Sequence, residues 1–399
     1  MQPKFDAKTH CKKQGIPFCE VYENTELDAT LVVNCRTSDA AIAAIATFRE
    51  GLQYILLDRQ HMNYMLLVCR LLDFEDLVKD DVFDGLPATR VIQDLALIRL
   101  AERSLNTIRG NATLSYGILS RHTVLFPHIL RGFRRLMASG DDLSAIVKSI
   151  HSGVLRQFVL FHELAHVEFL HGVDHADARV VETVDVMAAT HRLYKNKAVE
   201  DKSAGKNSYA CMIVEQMANV MKSRSDMEEV IADLWAFSDL WQATKKLGRL
   251  AAPLLQFISD SVLKCVAASS LLGIFDNVIG NSDHDVIMEQ STRYRDICFV
   301  RFEFLVGYAL IALARDFPDR DELFESINTT SGKIRARVFP LLNEELEFIE
   351  TGNLKEIEES GRVLQKEKGL TNNMELIVAC AACLGWIDLE AVQTRNAKA

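Results

Sequence analysis

The sequence predicts a mainly α-helical protein with a small α/β part at its N-terminal end. Three observations carry this. From Val91 onward apolar residues recur with the helical period of 3.6. Only 7 prolines and 19 glycines punctuate 399 residues. Before residue 60, short runs rich in β-branched and aromatic side chains alternate with polar ones, as strands do.

Residues 1–16 are polar and read as a loose arm. Phe18 to Tyr22 and Thr30 to Asn34 read as short strands. Ser38 to Glu50 reads as a helix with Ser38 as N-cap and Gly51 as its stop. Tyr54 to Asp58 is a third strand, followed by a helix over Gln60–Leu72. Helices are then expected near Val91–Thr107, His122–Met137, Asp142–His151 and Ser152–His171, separated by Gly, Pro or Asp signals. Residues 174–194 continue helical, and the polar stretch Lys195 to Ser208 reads as an exposed loop. Beyond Gly352 the chain is strongly charged over Lys355–Lys368 and ends in an apolar helix, Met374 to Trp386. The length favours one large domain, residues 1–316, with a helical extension over 317–399.

Half of the residues are hydrophobic and a quarter charged, an ordinary globular balance. A net charge of −10 argues against general nucleic-acid binding, which needs a basic surface. The first residues lack the apolar core of a secretory leader, and nine scattered cysteines fit a reducing cytoplasm. Cys380 and Cys383 form a lone CxxC without the second pair that a structural zinc site needs. No uninterrupted apolar run reaches the ~18 residues of a membrane span, so no membrane is expected.

Chemistry concentrates in His162-Glu163-Leu164-Ala165-His166, a HExxH motif inside an apolar helix. Histidines at i and i+4 project from one helix face and can reach one tetrahedral zinc ion. Glu163, about 100° further round the helix, is placed to act on water as general base. The helix is apolar nearly all round, so it should be buried, and buried histidines need partners.

A catalytic zinc takes three protein ligands. A third histidine in the pattern HExxHxxGxxH would need glycine at 169 and histidine at 172, but the chain has Phe169 and Gly172, with His171 one residue early. Glu182 and Asp185 follow on the next helix, more readily read as a solvated face. The best candidate is Glu229, in Ser225-Asp226-Met227-Glu228-Glu229-Val230-Ile231-Ala232-Asp233. Asp233 is one turn on, where it can accept the free N–H of a ligating histidine. Glu228 is explained by a capping box from Ser225; the alternative is that Asp226 with Glu229 forms the box and both glutamates are merely terminal. Ala232 and Ala236 supply the small side chains for close helix approach.

HExxH followed by E-x-x-A-D-x-x-A, Glu229 to Ala236, resembles the gluzincin metallopeptidases, and among them the Lit-type phage-exclusion and ImmA/IrrE-type peptidases. The resemblance implies a zincin-like active-site helix and a zinc-dependent endopeptidase that cuts a specific intracellular protein, with a role in phage defence. It implies His162, His166 and Glu229 as zinc ligands, Glu163 as general base and Asp233 behind a histidine. A strand beside the active-site helix should pair with extended substrate, with Tyr54 to Asp58 as its counterpart. Such families also carry a histidine and an arginine downstream. His284 and Arg293 stand there, and either would stabilise the oxyanion. A zinc-binding scaffold acting through its helical surface is the alternative, and an amide hydrolase without protein substrates a third. The oligomeric state is left open.

Overall fold

The computed structural model describes residues 20–27, 30–36, 44–49, 52–58, 142–171, 178–206, 208–248, 251–280 and 284–352, with single positions around 62–69 and 363–367. The expected helices at 91–107, 122–137 and 374–386, and the CxxC, lie outside the described residues.

Four strands, β1 (Glu20–Leu27), β2 (Thr30–Arg36), β3 (Ala44–Arg49) and β4 (Leu52–Asp58), form one sheet in the order β1-β2-β4-β3. Among the described residues seven continuous helices follow: α1 (Asp142–His171), α2 (Ala178–Ser203), α3 (Tyr209–Val220), α4 (Arg224–Lys245), α5 (Ala251–Gly280), α6 (His284–Asp316) and α7 (Asp321–Gly352). The described chain is therefore mostly helical.

Several local expectations change. Within the stretch Ser38–Glu50, where the cap signals predict a helix, Ala44–Arg49 runs as β3, antiparallel to β4 with Ala46 opposite Ile55, and the rest lies outside the described residues. Alternating Ala, Ile, Ala, Thr and Phe suits either element, and strand pairing decides between them. β4 is paired on both sides, parallel to β2 and antiparallel to β3, so Tyr54–Asp58 cannot take a further strand. Among the described residues the sheet edges are β1 and β3, and β3 lies against α1.

Ser152 and Gly153 do not open a new helix: α1 runs unbroken for 30 residues. Lys195 to Ser203 is helix rather than loop. α2 ends in a Schellman motif, with Lys206 N–H on Asp201 C=O at 2.9 Å, Gly205 N–H on Lys202 C=O at 3.0 Å, and Gly205 at φ +70°. The polar composition marked an exposed helix end, not an irregular segment.

α5 and α6 pack side by side at the centre. Trp241, Phe237, Tyr308, Phe302 and Phe304 are fully buried. Both helices are long and apolar enough to cross a membrane by length and composition, over Leu254–Ile274 and Met288–Asp316, although 78% and 67% of those windows are buried inside the protein. Isolated charges interrupt the apolar runs in the sequence, but each helix stays apolar on average.

The boundary expected after residue 316 falls in the turn between α6 and α7, yet α7 shares the main core. Ile327, Ile334, Val338 and Leu342 are buried in it. Phe339 packs on Phe299 at 3.9 Å between ring centroids. Glu303, on α6 and wholly buried, accepts hydrogen bonds from Arg335 of α7 at 2.7 and 2.9 Å, from Tyr209 of α3 at 2.7 Å, and from Tyr194 of α2. Burial and the Glu303 carboxylate push both tyrosine hydroxyls well above their ordinary pKa, so they stay donors. One buried carboxylate thus ties four helices together.

Candidate metal centre

α1 supplies the two histidines and α4 the acidic side chains. The helices pack closely: Ala165 of α1 joins Ala232 and Trp235 of α4 in one buried cluster, and the small Ala232 and Ala236 are fully buried. The end of α1 is braced by Arg179 of α2, which bonds Glu168 at 2.6 and 3.3 Å and lies 4.7 Å over the Trp235 ring. α4 begins from Ser223, whose hydroxyl accepts from Asp226 N–H. The cap therefore sits two residues before Ser225. Glu228 pairs with Arg224 one turn back, which leaves Glu229 to turn inward.

The structure brings His162, His166 and Glu229 together. The two imidazole Nε2 atoms are 3.1 Å apart. Glu229 Oε2 is 3.3 Å from His162 Nε2, and its Oε1 is 3.3 Å from His166 Nε2. With bonds of about 2.0–2.1 Å and tetrahedral angles, neighbouring ligand atoms on zinc are about 3.3 Å apart. The two imidazole nitrogens are spaced as neighbouring ligands of one zinc, Glu229 turns a different oxygen to each of them, and one donor atom from each of the three residues lies within 4.8 Å of the others; two imidazoles with a carboxylate are a donor set that zinc accepts. The residues fit the metal. Glu163, half-buried, follows His162 on α1.

Behind the triad, Asp233 Oδ1 is 2.9 Å from His162 Nδ1, which turns Nε2 toward the other two donors. Asp233 is itself held by Arg301 of α6, with Nε on Oδ2 at 2.5 Å and Nη2 on Oδ1 at 2.8 Å. Arg301 Nη1 also approaches Glu229 Oε2 at 3.8 Å. Burial pulls the His162 pKa down, but hydrogen bonds to Asp233 and Glu229 outweigh it and push the value up to about 10 in the metal-free protein. Burial alone would raise the carboxyl groups of Glu229 and Asp233. Against it, the two histidines hold Glu229 well below the carboxylate range, and Arg301, then His162, lower Asp233. The Arg301 guanidinium, despite its burial, is held charged by Asp233.

Arg301 is the residue that motif spacing misses. The signal was present: a lone arginine within the apolar run from Ile297 to Leu313 needs a buried partner. The two downstream expectations fare differently. His284 opens α6, 17 residues or about 25 Å along the helix before Arg301, and its side chain lies outside the described residues. Arg293 lies nearer. It pairs with Asp226 and donates to Ser225 Oγ at 2.8 Å, in the first turn of α4. Glu182 does not join the triad either: it pairs with Arg315 at 2.5 Å and accepts from Tyr308. Asp185 is exposed on α2.

A cleft of about 400 Å³ opens beside the triad, between α4, α5 and α6, and Glu229, Arg293 and Arg301 all line it.

No protein-family model, no curated protein and no solved structure matches this chain.

Proposed function

We propose that the chain is a zinc-dependent endopeptidase of the gluzincin type acting on a protein substrate. One observation carries the reading: the two HExxH imidazoles stand with their Nε2 atoms 3.1 Å apart, and Glu229 presents one carboxylate oxygen to each at 3.3 Å, with Glu163 next in sequence to the first histidine. His162, His166 and Glu229 hold the metal in this reading. Bound zinc supplies Lewis acidity, polarising the scissile carbonyl and lowering the pKa of water to about 7.

The remaining chemistry belongs to the chain. Glu163 takes a proton from the attacking water and returns it to the leaving amine nitrogen. Asp233 fixes the tautomer of His162 through Nδ1. Arg301 holds both oxygens of Asp233, and so acts as a positioning residue two steps behind the metal. The donors stand on the packed helices α1 and α4 rather than on loops, which favours one productive geometry.

The test is Glu163→Gln. Zinc content should stay at one per chain, while peptide-bond cleavage falls by about 10²–10⁴-fold, the usual contribution of a general base. Unchanged biological activity in that variant would instead establish a zinc-binding scaffold.

A further inference from the structure

We propose that the cleft beside the triad receives a carboxylate of the substrate, and that Arg293 is the side chain that binds it. The proposal rests on the peptidase reading and names the chemistry of what that site accepts.

The two carboxylates that line the cleft are already engaged. Glu229 faces both histidines at 3.3 Å, and Asp226 is gripped by Arg293, with Nε at 3.1 and 3.3 Å from its two oxygens. The two arginines are used unequally. The Arg301 side chain is only 12% exposed and commits Nε and Nη2 to Asp233. The Arg293 side chain is 53% exposed, and its hydrogen bonds to Asp226 and Ser225 run through Nε and Nη2. Nη1 of Arg293 takes no part in those bonds. Ser269 and Ser270 of α5 and Gln290 of α6 add hydroxyl and amide groups to the same lining. The cleft thus offers a cationic donor whose exposed side calls for an acceptor, while its anions are satisfied. A planar guanidinium matches a carboxylate better than any neutral group. An incoming lysine would instead meet two arginines.

Position agrees with chemistry. Asp226 lies one helical turn before Glu229, a Cβ separation of about 5–6 Å. An acid on Arg293 therefore sits within about two residues of extended chain from the triad, at about 3.3 Å per residue. A Glu or Asp side chain flanking the scissile bond reaches that point. So does the terminal carboxylate of a short C-terminal fragment. Asp226 serves to orient Arg293, keeping the guanidinium in the cleft wall before substrate arrives.

The experiment measures binding without turnover. Zinc-loaded Glu163→Gln protein, and metal-free wild type beside it, are titrated with acetylated alanine–glycine octapeptides. Each peptide carries one central Glu, Gln or Lys and ends in a free or an amidated C-terminus. The expected result is binding about tenfold or more tighter for the peptide with the acid, the scale of one charge-assisted contact. A preference that follows Glu over Gln assigns the side-chain source, and one that follows the free terminus assigns the α-carboxylate. Arg293→Gln should abolish the preference and Arg293→Lys retain part of it, with zinc content and circular dichroism unchanged. Equal affinity for acidic and neutral peptides, no binding of either, or a preference that survives Arg293→Gln overturns the proposal. The two readings fail separately: an absence of zinc and of cleavage leaves the carboxylate preference measurable in metal-free protein. Equal affinity for acidic and neutral peptides in a wild type that still cleaves neutral ones overturns the carboxylate site and leaves the peptidase reading standing.

Discussion

Replacing Arg301 by methionine tests the layer behind the metal candidates. The Asp233 side chain is 1% exposed and its only cationic side-chain neighbour besides His162, among the described residues, is Arg301. Removing one partner of a buried pair leaves an uncompensated charge and costs about 3–5 kcal/mol. His162 still bonds Asp233, so the lower end of that range applies. At about 2–4 °C per kcal/mol for a chain of a few hundred residues, metal-free Arg301→Met should melt roughly 6–12 °C below wild type. Zinc affinity should drop about 10–100-fold, because Asp233 no longer holds His162 in one orientation. Thermal unfolding of metal-free and zinc-loaded protein, with chelator competition for affinity, reads both effects. Asp233→Leu and the double variant complete a cycle. The double variant should regain much of the stability, since an apolar pair of similar volume replaces a buried ion pair at little cost. It should not regain zinc affinity. Stability within about 1 kcal/mol of wild type together with unchanged affinity in Arg301→Met would refute the positioning role.

Other outcomes follow from the same geometry. Glu229→Gln should reduce zinc binding, whereas Glu182→Gln should leave it intact, because Glu182 is committed to Arg315 and Tyr308; metal analysis per chain distinguishes them. In metal-free protein the folded His162 pKa, about 10, lies above its ordinary 6.5, so its stabilisation is complete below about pH 6.5 and is lost as pH rises toward 10. Glu229 is shifted the other way, so its contribution is present above its ordinary 4.5 and is lost in acid. Melting temperature against pH should therefore be highest between these limits, and a profile rising from pH 7 to 10 would contradict this. Zinc loading at neutral pH should release protons, measurable as a buffer-dependent heat. Gly307→Ala puts a Cβ 2.0 Å from Thr190 Oγ1, across the contact of α6 with α2, and should cost about 1–3 kcal/mol in denaturant unfolding.

The legible part of this protein is what one helix can encode by itself. His162 with His166, and Glu229 with Asp233, are each four apart, and helical geometry puts each pair on one face before any tertiary contact forms. Ala232 and Ala236 announced a close helix approach for the same reason. Marginal segments were less legible. Ala44–Arg49 became a strand because β4 was there to pair with it, and the polar Lys195–Ser203 stayed helical as the exposed end of α2.

Periodicity and residue type thus specified the mainly helical architecture and the donors that a metal site needs. Which acid meets the histidines, and what stands behind them, depends on how the helices pack. Glu229, Glu182 and Glu228 are chemically alike, and their helices' packing separates them: one faces the imidazoles, one pairs with Arg315, one with Arg224. Arg301 reaches Asp233 across 68 residues of chain, a partnership with no local periodicity to betray it. The buried charges of α6 could be recognised as needing partners, but electrostatics sets only that need, and the crossing of α4 and α6 supplies the partner.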